Sequence, residues 1–278
     1  MSNFIVRSLL AASFTIAIVA APRVVSAGEL NCTAGCAELF QGAYFVTVDQ
    51  QSTGTGVIDS FVRISGNQDQ VDGHNTSGRP LKNDENNSPQ FTRDLQLKNV
   101  PLVTLDLAGT ANDGQYYEFL LDINQEGNDP LLALSQVRIC TALTGGQTQT
   151  DGCPGTLKYV MDTAPTDDYV KLDYNLNSGS GSGDLFMYIP VATLGTNLES
   201  FVYLYSQFGT PEFIDSPDDK HTYGNNDGFE EWAVRRCENI TLVCSGQNLP
   251  QVPEPASVIL LGLGLVGVSA AVRKRRAA

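Results

Sequence analysis

Asp122-Ile-Asn-Gln-Glu-Gly127 sets side-chain oxygens at positions 1, 3 and 5 of a short stretch, with glycine at position 6. Alternate side chains can converge on one point there, and glycine allows a sharp turn, which is how a calcium loop of the EF type begins. Asp122, Asn124 and Glu126 are therefore the candidate metal ligands, and calcium is the one cofactor in view. Position 12, which such a loop closes with a bidentate glutamate, is Ala133. The plainer reading is a strand end entering a polar turn. A second oxygen-rich stretch, Asp215 to Asp227, carries four aspartates and reads as a cation site or as a solvated acidic loop.

Glycosidase chemistry needs two carboxyls facing each other across the scissile bond. Glu230 and Glu231 are adjacent, and adjacent strand residues face opposite ways, so they do not form such a pair by themselves. His74 and His221 are the only histidines, and both sit in polar stretches. Neither belongs to His-Glu-x-x-His, and no Gly-x-Ser-x-Gly elbow occurs. The Gly-Ser alternation from Gly179 to Gly183 lacks the lysine and following helix of a phosphate loop and reads as a turn. No catalytic residue is assigned. Trp232, the sole tryptophan, and Tyr203 and Tyr205 on one strand face offer aromatic surface for a sugar ring; core packing accounts for them equally well.

All six cysteines, Cys32, Cys36, Cys140, Cys153, Cys237 and Cys244, lie between the two ends of the chain. An even set outside the cytoplasm points to disulfides. Pairing neighbours gives three short loops, Cys32–Cys36, Cys140–Cys153 and Cys237–Cys244, although spacing alone leaves other connectivities open. Zinc is the lesser alternative, since no Cys-x-x-Cys occurs.

The elements that would position these residues are strands. In Tyr169 to Leu176, Val170, Leu172, Tyr174 and Leu176 share one face while Lys171, Asp173 and Asn175 share the other. Pro101 to Leu107 and Phe91 to Val100 alternate similarly, as half-buried strands do. More continuous apolar strands are expected at Tyr44–Val48, Val57–Ile64, Tyr116–Ile123, Leu185–Ile189 and Phe201–Phe208. No helix longer than two turns is expected between 28 and 250. The pattern predicts an all-β body, a single β-sandwich of jelly-roll type, over residues 28–248. The stretch Asp72 to Gln90 reads as a long polar loop with almost nothing to bury, and a second runs from Gly209 to Gly228.

The chain carries a net charge of −14, and residues 28–252 alone hold 11 Lys+Arg against 30 Asp+Glu, a net of −19. Such a body repels nucleic acid and anionic headgroups, so nucleic acid is excluded as a partner. The two ends differ from it. Residues 1–27 place Arg7 before an apolar run, Ser8 to Ala21, and end in Val25-Ser26-Ala27, the pattern of a secretory signal peptide cut before Gly28. Sec machinery and signal peptidase are the partners this implies. Residues 249–278 form a three-part tail: Pro253-Glu254-Pro255, an apolar run over 256–272, and the cluster Arg273-Lys274-Arg275-Arg276. The prolines keep the approach to the run extended, the run suits a transmembrane helix, and the basic cluster stops transfer with the C-terminus in the cytoplasm.

This tail resembles the PEP-CTERM sorting signal of Gram-negative bacteria. The resemblance implies an exosortase, a membrane-embedded cysteine transpeptidase-like enzyme, that reads Pro253, Glu254 and Pro255 and cleaves nearby. Phe91 to Leu97, Tyr117 to Asn124, Gly179 to Asp184 and Asn226 to Ala233 also resemble segments shared among exported PEP-CTERM proteins. That likeness transfers no catalytic residue. The expectation is an exported protein, anchored transiently in the inner membrane and then placed at the cell surface or in the exopolysaccharide and biofilm layer. Its class would be structural or interaction rather than enzymatic. An extracellular polysaccharide is a candidate partner. A carbohydrate-binding module, with or without calcium, is the alternative, and a glycan hydrolase or lyase comes third.

Overall fold

The computed structural model describes residues 28–47, 58–105, 114–149, 153–163, 167–179, 183–209 and 223–235. In chain order its strands are β1 (Glu29–Asn31), β2 (Ala37–Phe40), β3 (Ala43–Thr47), β4 (Ile58–Ile64), β5 (Val71–His74), β6 (Leu95–Gln96) and β7 (Leu102–Leu105). They continue with β8 (Gly114–Asp122), β9 (Leu131–Ala142), β10 (Thr156–Val160), β11 (Tyr169–Asp173), β12 (Leu185–Pro190), β13 (Phe201–Phe208) and β14 (Glu230–Arg235). Among the described residues the α-helical content is one short turn, Val191–Leu194, and no helix is long and apolar enough to cross a membrane.

The protein is all-β, in two seven-stranded sheets. The first runs β1-β11-β9-β13-β5, with β10 also on β9 and β6 on β13. The second runs β2-β3-β12-β8-β14-β4, with β7 also on β8. Every strand pair is antiparallel except β1 with β11. These orders hold more strands than the eight of a jelly roll, and the parallel pair lies outside its plan. Phe119, Leu121, Met187 and Trp232 of the second sheet share one core with Leu134, Ile139, Leu204 and Phe208 of the first. Trp232 Nε1 donates to Ser206 Oγ at 3.0 Å, linking β14 to β13 across that core. A smaller cluster, with Leu120, Phe186 and Tyr188, occupies the other face of the second sheet.

Several expectations are corrected. The 91–100 strand shrinks to β6, because Leu97–Asn99 turns into a 3-10 helix; Tyr174–Leu176 does the same after β11. The polar stretch 72–90 is not a loop without burial. It begins inside β5, and His74, Asn75, Thr76 and Glu85 are all buried. Asn75 explains how: its Nδ2 donates to Val202 O at 2.8 Å and its Oδ1 accepts from Leu204 N at 2.6 Å, so an amide side chain continues the ladder of β13. Burial here is by hydrogen-bond satisfaction rather than by apolar surface.

Cys32 is bridged to Cys36 and Cys140 to Cys153. Cys237 and Cys244 lie outside the described residues, as do the 1–27 signal segment, the 249–278 tail and His221.

Candidate functional site

The most unusual chemistry lies where three strand ends of the second sheet meet. In the register of β14 on β8, Glu231 faces Asp122. Leu185 of β12 pairs with Leu121 of β8, which brings Asp184 beside Asp122 from the other flank. Asp184 N donates to Leu121 O at 2.7 Å and extends that pairing. Beyond Asp122 the chain leaves the sheet, so the next amides lose their ladder partners. Carboxylates replace them: Ile123 N donates to Asp184 Oδ2 at 2.7 Å and Asn124 N to Glu230 Oε2 at 3.1 Å. Glu230 Oε1 accepts from Gln125 Nε2 at 2.7 Å. Asp122 Oδ1 accepts from Gly183 N at 3.3 Å.

Glu231 leaves β14 on the opposite side and meets a cation. Arg63 Nη2 donates to Glu231 Oε2 at 2.9 Å. The guanidinium lies 3.5 Å from the Phe91 ring centroid and 3.8 Å from that of Phe229, clamped between two aromatic faces.

The electrostatics follow from this crowding. Burial pushes the carboxyls of Asp184 and Glu230 well above the ordinary range, and Asp122 adds like-charge repulsion to both. Burial also raises Glu231, against the pull of Arg63. A raised carboxyl is what a general acid needs, but it must also reach the group it protonates. Glu230 is 0% exposed and its two oxygens are held by Asn124 and Gln125. The cluster shapes the end of the sheet.

A polar cleft of about 580 Å³ lies beside the cluster, lined by Ser65, Gly66, Asn67, Asn225, Asn226, Asp227 and Gly228. Gln125 joins the two: its Nε2 serves Glu230 while its Oε1 accepts from Asn226 N at 3.2 Å. Asn226 is tied further by Glu126 N to its Oδ1 at 2.9 Å and by its Nδ2 to Asp129 O at 2.7 Å. Gly228 has φ +67°, and a Cβ there would meet the Asn124 amide at 2.1 Å, so this turn requires glycine.

Of the three candidate calcium ligands, Asp122 is buried in the carboxylate cluster, Asn124 is half-buried against Gly228, and Glu126 is exposed. They occupy three different environments. Among the described residues no group of three or more His, Cys, Asp or Glu is placed to hold a metal ion. Two of the three aromatic candidates are buried, and Tyr205 is half-buried. Trp232 is in the core, and Tyr203 is buried with its hydroxyl on Asp94 Oδ1 at 3.1 Å. His74 is buried, with Nδ1 at 3.2 Å from Glu85 Oε1. Asp184, Arg63, Gln125 and Asn225 carry the site, and little in their local sequence marks them. Asp184 has a hint, as the acid that ends a Gly-Ser turn ahead of a strand, and Asn225 lies in the oxygen-rich stretch Asp215 to Asp227.

The PEP-CTERM protein-sorting motif matches residues 251–276. That span contains Pro253, Glu254, Pro255 and the Arg273 to Arg276 cluster. No curated protein and no solved structure matches the chain.

Proposed function

We propose that this chain is an exported interaction protein, placed at the cell surface or in the polysaccharide layer outside a Gram-negative cell. The observation that carries the reading is the sorting motif at 251–276, which implies an exosortase as processing partner and a transiently membrane-anchored C-terminus. The order of events follows from the two ends. Signal peptidase removes 1–27 after Sec export. The 256–272 run then holds the precursor in the inner membrane, with Arg273, Lys274, Arg275 and Arg276 on the cytoplasmic side. Cleavage near Pro253-Glu254-Pro255 releases the body.

The body suits that destination. Its net charge of −19 over 28–252 keeps it soluble and apart from anionic surfaces. The Cys32–Cys36 and Cys140–Cys153 bridges persist in an oxidising compartment. Within the cluster at the end of the second sheet, the raised carboxyls of Asp184, Glu230 and Glu231 are buried.

Glu254→Ala, or loss of 253–255, tests the reading. The expected result is full-length protein retained in the inner membrane, seen by blotting membrane and medium fractions with antibody to the body. Equal release of mutant and wild type would defeat the exosortase reading.

A further inference from the structure

We infer that Asp168 is the binding site for a cation that the chain makes for itself, the α-ammonium of Gly28 at the mature N-terminus. Gly28 N donates to Asp168 Oδ1 at 2.8 Å, across 140 positions of sequence. Asp168 is 3% exposed, and its own N donates to Asp162 Oδ1 at 3.0 Å, which ties down the backbone behind the carboxylate. On the other side, Gly28 O accepts from Tyr169 N at 3.0 Å. Glu29, Leu30 and Asn31 then pair in parallel with Tyr169, Val170 and Lys171. The nitrogen of residue 28 is thus held against the carboxylate by the strand that follows it. Glycine permits the approach, since a Cβ at this position would lie 2.4 Å from Asp168 Oδ1.

In the precursor that nitrogen is a peptide amide, with one hydrogen and no charge. Removal of 1–27 changes it. Water adds across the Ala27–Gly28 bond and leaves a carboxylate on Ala27 and an ammonium on Gly28, the form an α-amine takes at neutral pH. The same nitrogen then sets a full positive charge against a buried carboxylate. The surroundings are short of one. Burial, with the charges of Asp167 and Asp168, raises the Asp162 carboxyl, and burial with the charge of Asp168 raises the Tyr159 hydroxyl. Of the cations close by, Arg138 acts on Asp162, and Lys171 is held by Glu29 Oε2 at 3.1 Å. Among the described residues no lysine or arginine is ion-paired with Asp168. A charged donor on a carboxylate is about twice as strong as a neutral one, and a buried carboxylate without a cation is costly. Gly28 is half-buried, which leaves water for the other hydrogens of the ammonium. Removal of the leader is therefore a stabilising step as well as a release. The body gains an ion pair that the precursor lacks, and a cut before Gly28 is the one that supplies it.

This inference rests on the export reading above, in which 1–27 is removed before Gly28. The sorting step plays no part in it, so the Glu254→Ala test and this one fail separately. The chain is exported with its own leader and purified in mild detergent, and its intact mass gives the N-terminus. A terminus other than Gly28 overturns the leader reading and this inference together. The Gly28 form is compared with one carrying Asn-Thr-Asn-Thr between Ala27 and Gly28, which keeps the amide bond to Asp168 and moves the ammonium away. Each is also made with Asp168→Asn, whose side chain still accepts that bond but carries no charge. In urea titrations near neutral pH the extension should lower the folding equilibrium constant about tenfold when Asp168 is present, and by less than about twofold in Asp168→Asn. A second measurement decides the matter even if Asp168→Asn does not fold. The α-amine is acylated at a series of pH values from about 6 to 10, and the N-terminal peptide is quantified by mass spectrometry. The Gly28 amine should titrate at least about one pH unit above the amine of the extended form, because an ion pair favours the charged state. The inference is overturned if the extension costs nothing, if it costs the same in both backgrounds, or if the two amines titrate alike.

Discussion

Glu85 and Glu230 are both buried glutamates at strand margins, and each accepts hydrogen bonds from two amide nitrogens. Glu85 accepts from His74 N at 3.1 Å and Asn83 N at 2.9 Å; Glu230 accepts from Asn124 N and Gln125 Nε2. Burial works against the charge of both. Yet Glu85 ends below its ordinary pKa, and Glu230 ends well above. Glu230 is the more completely buried of the two, and their neighbours differ. Glu85 has the His74 ring at 3.2 Å, whereas Glu230 has Asp184 and Asp122. With similar donor sets, the hydrogen bonds from His74 lower Glu85, while complete burial and two acidic neighbours raise Glu230. The first region is a carboxylate that caps a sheet edge; the second is a group of acids gathered where a sheet ends.

The strongest way to break this comparison is Glu85→Ala. It strips partners from two amides, one of them on the edge strand β5, and leaves His74 buried without its acid. The expected cost is about 2 to 4 kcal/mol, read as a lower urea midpoint at constant m. Because Glu85 is depressed in the fold, its contribution is present above its unfolded pKa and is lost as pH falls through the folded value. The variant should therefore lose part of the wild type's acid sensitivity. A loss below about 0.5 kcal/mol would mean the capping bonds are replaceable by water.

Arg63→Lys probes the boundary between the two cases, since Glu231 belongs to the acid group but has a cation. Lysine keeps the charge and loses the planar stack between Phe91 and Phe229, at a cost of about 1 kcal/mol. An unchanged midpoint would show that charge alone matters there.

The smallest effect at neutral pH is expected for Asp184→Asn, within about 1 kcal/mol of wild type or above it. An amide keeps an acceptor for Ile123 N and removes the charge that burial penalises. The sign of its pH effect is the sharper test. A carboxyl raised in the fold is most compatible with folding at low pH, and stability falls as pH rises from the unfolded value toward the folded one. Asp184→Asn should flatten that fall in a urea series from about pH 4 to 8. An unflattened slope with a large neutral-pH loss would place Asp184 with Glu85 and erase the contrast.

Several apolar strands are legible in the amino-acid order. Phe201–Phe208 is strand β13 at the expected bounds, and β3, β4, β8 and β12 lie within two residues of expectation at either end. The longest strand, Leu131–Ala142, carries no comparable signal. It pairs with β10, β11 and β13, and Leu132 to Val137 are all buried, so neither face shows a polar alternation. Asn75 is hidden for a related reason: a polar residue that completes a ladder has no pattern of its own.

The sorting motif at 251–276 is the part that the amino-acid order determined by itself. An apolar run, a Pro-Glu-Pro step and a basic cluster act as contiguous segments, so their chemistry needs no partner from elsewhere in the chain. The acidity of the body and its all-β class belong with them, since charge adds without geometry and alternation is local. The carboxylate cluster and the cleft were decided only by the tertiary structure. Asp184 meets the amide of Ile123 across 61 positions, Glu230 meets Gln125 across 105, and Asn225 meets Gly66 across 159. Those meetings depend on the register of β12 and β14 on β8, and register follows from how two faces bury a shared core.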